Sequence, residues 1–395
     1  MLTELHQELE QIIAAGRERH FHEALPRRDG CVSLRGRTLI DFTSWDLYDL
    51  NHHPAARRVV QRTIEEHGLT AGAARGSSGS SGLHSMCERR LAEFTGFEAA
   101  TVFSSKNQAI LSLLTAIASE RDVVVFDEAM QSPVGDAAYL VNCPSATFPA
   151  AQLTRARAEL EKAKGARRRF VCVESVSPIT GEALDLAAWS AVAVKCDAEL
   201  IVDESYAIGT VGLRGSGGLE SVPLRTGVLC AFADCALTLA AGGAFIAGPL
   251  TLVRYLMQRS RTFVAEVAPP PFLMAALEGA VGYVELGHNL RERIGLTAGK
   301  LRAGLLQMGA LGREQGNSPI ICVPMKSLRV AKEIAEALFQ KGVLVEVLAR
   351  PSSGSAPYSD GLAFLRLLVS ALHTQPHVEA TLQACSEIWT KAEVK

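Results

Sequence analysis

Between Ala100 and Ala247 one pattern repeats: a short apolar run, then a longer stretch with apolar residues at helical spacing. The runs Ala100–Phe103, Val123–Phe126, Phe170–Val173, Glu199–Asp203, Cys230–Leu237 and Ala244–Ala247 read as strands. Asn107–Ser119, Leu153–Lys164 and Leu186–Val194 read as helices between them. Val123–Phe126 shows no polar alternation, which marks a strand covered on both faces. Strands and helices in this order predict a doubly wound, mostly parallel α/β sheet. A ligand site is expected at the carboxyl ends of its strands.

The flanks differ. Residues 1–25 read as a helix with Leu2, Leu5, Leu9, Ile12 and Ile13 on one face, and Arg37–Phe42 as extended chain. Pro54–His67 and His84–Gly96 read as helices. The Gly/Ser-rich run from Gly72 to Gly82 between them has a linker's composition but a position inside the domain. Met274–Leu311 reads as one long helix. Strands at Ile320–Pro324, Val343–Val347 and Phe364–Val369 then interleave with helices at Ser327–Gln340 and Pro376–Trp389. The expected organisation is an arm over 1–45, a large α/β domain over 46–285 and a smaller α+β domain over 286–395.

Apolar residues make up 48% of the 395, which allows a large core and excludes global disorder. A net charge of -2 argues against a nucleic-acid surface built on bulk positive charge. The longest charge-free apolar stretch, Cys235–Val253, contains Gly242, Gly243, Gly248 and Pro249. It is expected to be a buried strand-turn-strand, not a membrane span. Acids near the start argue against a secretory signal, so a cytoplasmic protein is expected. The nine cysteines are scattered without a C-x-x-C, so neither a disulfide framework nor a metal site is expected.

Some residues stand out without any comparison. Asp203-Glu204 ends a buried strand, where an acid serves either a structural base or a ligand. His84 opens a helix and reads first as a cap. Arg366 lies in an apolar strand and needs an anionic partner, from the protein or from a substrate.

The spacing of these residues resembles that of a known family. Arg75-x3-Gly79-x4-His84-x3-Glu88, Phe103-Ser104-Ser105, Val202-Asp203-Glu204, Gly212-x-Arg214-Gly215-x-Gly217, Gly243-x4-Gly248 and Leu365-Arg366-x3-Ser370-Ala371-x-His373 fall in register with it. The chain resembles the α-oxoamine synthases. These are fold-type I pyridoxal-phosphate (PLP) enzymes that condense an amino acid with an acyl thioester. The resemblance implies that fold, a two-fold dimer, Asp203 as partner of the cofactor's ring nitrogen, and Arg366 as grip for a substrate carboxylate. It also places Arg75 and His84 beside the pocket, and Trp45 on the acyl-entry side.

Against that family the chain departs at the cofactor. The aldimine lysine corresponds to Leu237, and there is no lysine between Lys195 and Lys300. The ring-stacking histidine corresponds to Gln131, a second pocket histidine to Tyr206, and a threonine near the lysine to Asp234. On the phosphate side, Ser105 remains but is followed by Lys106 and Asn107. The residues lent by a neighbouring subunit become Glu266-Val267. Lys106 is open to three readings: solvated, paired with Asp234 or Glu266, or a replacement aldimine lysine. The resulting expectation is a retooled acyltransferase that works without PLP. It would join an acyl-CoA or acyl-carrier-protein thioester to an amino-acid-like acceptor, with His84, Tyr206 or Glu266 moving the proton. Two alternatives stand beside it: a non-catalytic partner subunit of an active homologue, and a protein that binds PLP without a covalent bond.

Overall fold

The computed structural model describes residues 1–14, 18, 21, 23–24, 26–149, 152–222, 224–312, 318–349 and 363–389. The chain forms two compact units. The larger comprises Trp45–Pro178 and Glu182–Arg293; the smaller comprises Met1–Ser44, Ile179–Gly181 and Ile294–Lys395. The N-terminal residues therefore group with the C-terminal unit, whereas the sequence suggested a separate arm.

In chain order the strands are β1 (Cys31–Leu34), β2 (Arg37–Asp41), β3 (Ala99–Phe103), β4 (Val123–Asp127), β5 (Ser145–Phe148), β6 (Arg169–Glu174), β7 (Glu199–Asp203), β8 (Val228–Asp234), β9 (Ala244–Gly248), β10 (Ile320–Met325), β11 (Val343–Leu344), β12 (Glu346–Ala349) and β13 (Ala363–Leu368). The first four helices are α1 (Leu2–Ala14), α2 (Pro54–His67), α3 (Gly82–Thr95) and α4 (Lys106–Ile117).

The larger unit is built on a seven-stranded sheet of order β3-β9-β8-β7-β6-β4-β5. Strands β8, β7, β6, β4 and β5 run parallel, while β9 is antiparallel to both β8 and β3. Alternation along β4 shows why the parallel block reads as continuously apolar. Val124 and Phe126 enter one core cluster with Ile110, Leu113 and Leu114 of α4. Val125 enters the opposite cluster with Leu160 and Trp189. Truncating a leucine in such a layer costs about 2–5 kcal/mol.

Helix α4 starts where Ser105 caps it, the side chain accepting from Gln108 N, and stops at extended Ala118. The stretch expected as one helix over Met274–Leu311 is two, Pro271–Leu286 and His288–Gln307, divided at Gly287. A Cβ at Gly287 would lie 2.9 Å from the Tyr48 ring, so glycine there leaves room for that ring against the helix end. Cys235–Val253 is a turn, then β9, then the start of the helix Leu250–Arg259; the expected strand-turn-strand is not formed. No described helix is long and apolar enough to cross a membrane.

The smaller unit holds two three-stranded sheets, β1-β2-β11 and β10-β13-β12. Helix α1 is amphipathic as expected, yet none of its residues is buried.

Candidate strand-end site

Four neighbouring parallel strands end on an acid: β4 on Asp127, β6 on Glu174, β7 on Asp203 and β8 on Asp234. Glu174 and Asp203 are direct register partners. Parallel strands all deliver their last side chains to one edge, so four carboxylates gather at the carboxyl end of the sheet. The cation that meets them is Lys106, the first residue of α4. Its Nζ donates to Asp203 Oδ2 at 2.7 Å, and its ammonium lies 5.5 Å from the Tyr206 ring centroid. Asp203 is 1% exposed, and its other oxygen accepts from Ser205 N at 2.8 Å. Lys106 thus takes neither of the partners expected for it, Asp234 or Glu266, and is not solvated.

The charges explain the proton positions. Burial pulls the Lys106 pKa down, but Asp203, Tyr206 and Glu174 outweigh it and raise it above a free lysine's. Burial pushes the Glu174 carboxyl up, Asp203 adds to that and Lys106 opposes it. Asp234 is also raised by burial, although it accepts from Ala236 N at 2.9 Å.

The remaining expected site residues divide clearly. Trp45 and Tyr206 pack together, ring centroids 5.1 Å apart and tilted by 51°, and Tyr206 is the ring nearest the Lys106 ammonium. His84 is fully buried and its ring is saturated. Nδ1 accepts from Ser81 N at 3.1 Å, and Nε2 faces Pro269 O at 2.9 Å. The first contact fixes the proton on Nε2, and burial followed by the Arg75 charge lowers the ring's pKa. His84 is therefore a neutral cap of α3, and its expected role in moving a proton is corrected. Arg75 is likewise engaged: Nη1 and Nη2 meet both oxygens of Glu88 at 2.9 Å, and Nε donates to Ser80. That fork turns the Gly/Ser run into an ordered loop and leaves no free guanidinium for a substrate.

Glu266 is exposed and lines a small cleft with Arg75, Ser104, Gln108 and Phe263. At the start of α4, Ser105 and Asn107 are exposed, and Ser104 N is taken by the Gln108 side chain. Leu237 sits half-buried in the turn before β9, which Gly243 closes at φ 90. The side chain of Gln131 lies outside the described residues.

In the smaller unit, Arg366 of β13 is opposite Glu346 of β12, and Nη2 donates to Glu346 Oε2 at 2.6 Å. Of the two kinds of partner expected for this guanidinium, it has a protein acid. Sequence reading missed Glu346 because its partner is chosen by strand register. It missed Glu174 too, although an acid closing the buried run Phe170–Val173 was a usable signal.

Position 237 offers no amine, and both oxygens of Asp203 are engaged. Lys106 rests as an ammonium on Asp203, and in that form it is not a nucleophile for an aldehyde.

The class I and II aminotransferase family matches residues 37–384. The 8-amino-7-oxononanoate synthase of Methylococcus capsulatus is 30% identical over 368 residues, 91% of this chain and 92% of its own length. A putative 8-amino-7-oxononanoate synthase of Phenylobacterium zucineum is 31% identical, covering 93% of this chain and 92% of its own. Among solved structures, a lysine-to-alanine variant of serine palmitoyltransferase from S. paucimobilis, with bound PLP–myriocin aldimine, superposes with a TM-score of 0.88. It is 21% identical and covers 98% of this chain and 96% of its own. That structure corrects the expectation of a cofactor-free pocket. A protein of this fold that has lost a lysine is seen with PLP, so leucine at 237 does not by itself argue against the cofactor.

Proposed function

Because the chain belongs to the class I and II aminotransferases, and within them to the α-oxoamine synthases, we propose that it serves as a non-catalytic subunit paired with an active homologue. The carrying observation is the buried Lys106–Asp203 pair, which closes the strand-end site of this chain on itself. Three of the residues expected at the site support the same reading. His84 is a saturated cap, Arg75 is spent on Glu88, and Arg366 is spent on Glu346. The acyl transfer between a thioester and an amino acid is then the partner's chemistry, and this chain supplies structure or control.

The test is affinity purification of the tagged full chain from its native host, with peptide sequencing of whatever co-elutes. The expected partner is a stoichiometric α-oxoamine synthase that has a lysine in the glycine turn. A homodimer that purifies alone and condenses an acyl thioester with an amino acid would end this reading.

A second reading is favoured by the serine palmitoyltransferase variant with its PLP aldimine: this chain binds PLP without a lysine link. A visible absorbance band that survives in the intact protein but leaves no pyridoxyl adduct after borohydride reduction supports it. Absence of any PLP-dependent spectral change ends it.

A further inference from the structure

Asp203 and Lys106 are held more tightly than a surface pair. The carboxylate is 1% exposed, with Lys106 on one oxygen and Ser205 N on the other. Asp203 stands between Glu174 and Asp234 in the row of strand-end acids, so a cation here answers more than one negative charge. A buried carboxylate stripped of its cation is costly, which means nothing removes Lys106 without replacing its charge. Lys106 is also the part of this edge best able to move. It is an unbranched side chain on the first turn of α4, whereas Ser105 and the Gln108 side chain are tied to backbone N–H groups.

We infer that Lys106 is an internal competitor for ligands at Asp203: a molecule bringing its own positively charged N–H donor binds there only by displacing the Lys106 ammonium. The protonated pyridine nitrogen of PLP is a donor of that class, and a molecule without a cationic N–H donor is excluded from Asp203. Lys106 thereby sets both affinity and selectivity. Removing it should tighten binding of PLP by about tenfold or more, the worth of one charge-assisted contact no longer surrendered. The inference shares its pocket with the subunit reading but not its partner. A chain that purifies alone would end the subunit reading and leave this competition measurable. Unchanged affinities would end the competition and leave the partner question open.

The experiment is titration of the folded full chain with PLP, read by tryptophan fluorescence and visible absorbance, with borohydride reduction to exclude attachment at surface lysines. Lys106→Met should bind PLP at least tenfold tighter than the parent. Lys106→Met combined with Asp203→Asn should lose that gain, because the anion that receives the ring is gone. If Lys106→Met does not fold, Lys106→Gln keeps a donor to Asp203 without the charge and should still bind tighter than the parent. A folded Lys106 variant that binds PLP no better than the parent overturns the inference, as does a double variant that keeps the full gain. Weaker binding in the single variant would assign Lys106 to the phosphate instead and overturn it equally.

Discussion

Arg366 and Glu346 are register partners on antiparallel β13 and β12, and the guanidinium closes on the carboxylate at 2.6 Å. The arginine is 9% exposed and the glutamate 38%, so the pair sits half out of the core. Arg366→Ala leaves Glu346 without its cation and a void in an apolar strand. The expected loss is about 2–4 kcal/mol, below the full penalty of a wholly buried pair. Thermal melts with and without amino acids check it. A variant that melts like the parent while losing its response to amino acids would return Arg366 to the substrate.

His84 should behave as a cap. His84→Ala removes the acceptor for Ser81 N and the donor to Pro269 O, and opens a cavity in a fully buried position. The expected cost is about 2–4 kcal/mol. His84→Gln, which can serve one of the two contacts, should recover part of it. Equal stability of the parent and His84→Ala would contradict the capping role.

Gly217 should tolerate no side chain. Its φ of 108 lies in the region that favours glycine, and a Cβ would fall 2.5 Å from Glu204 Oε2. Glu204 is buried and accepts from Gly218 N and Leu219 N, so it cannot yield without losing both bonds. Gly217→Ala is expected to cost about 2 kcal/mol or more by urea denaturation. The glycine motif around it therefore reads as a seat for Glu204.

Acid should weaken the protein through His373. Burial lowers its pKa from 6.5 to about 4, and the nearby His377 adds to the shift. The ring stacks on Phe42 at 4.2 Å, and Nδ1 accepts from Ser370 N. Asp41 is the nearby acid that opposes the shift. As pH falls through 6.5 the unfolded chain takes up a proton that the folded chain refuses. The contribution is whole above 6.5 and is lost down to about 4, some ~3 kcal/mol in total. Denaturation at pH 7 and 4.5 should show a shallower decline in His373→Asn, which keeps an acceptor for Ser370 N. Parallel declines would remove His373 as the cause.

Much of the fold was legible because the central strands are apolar on both faces. Glu199–Asp203 and Pro54–His67 fall on the boundaries read from the sequence, and most other elements within a few residues. The strands that escaped notice, Cys31–Leu34 and Ser145–Phe148, alternate buried and half-exposed residues or lie at an edge. The site was legible only in part. Asp203 was expected because an acid at the end of a buried strand is visible in one dimension. Its bond to Lys106 joins residues far apart in the chain, and only the strand order brings α4 to β7. His84 misled for the opposite reason: motif spacing placed it by a pocket, whereas Ser81 of its own loop takes one ring nitrogen and the distant Pro269 carbonyl the other.

Strand β3 is bonded in the sheet to β9 alone, at the far edge from β5. In a chain made from its N-terminus, β3 leaves the ribosome long before β9 exists. At the usual rate of synthesis that interval is roughly ten seconds or more. For that time the apolar run Ala99–Phe103 has no strand to pair with. Nor can α4 reach its place, since the residues it packs on, Phe232 and Ile246, are not yet made. The β3 edge of the larger unit therefore closes last, after the block of β4, β5, β6 and β7 has every strand it needs.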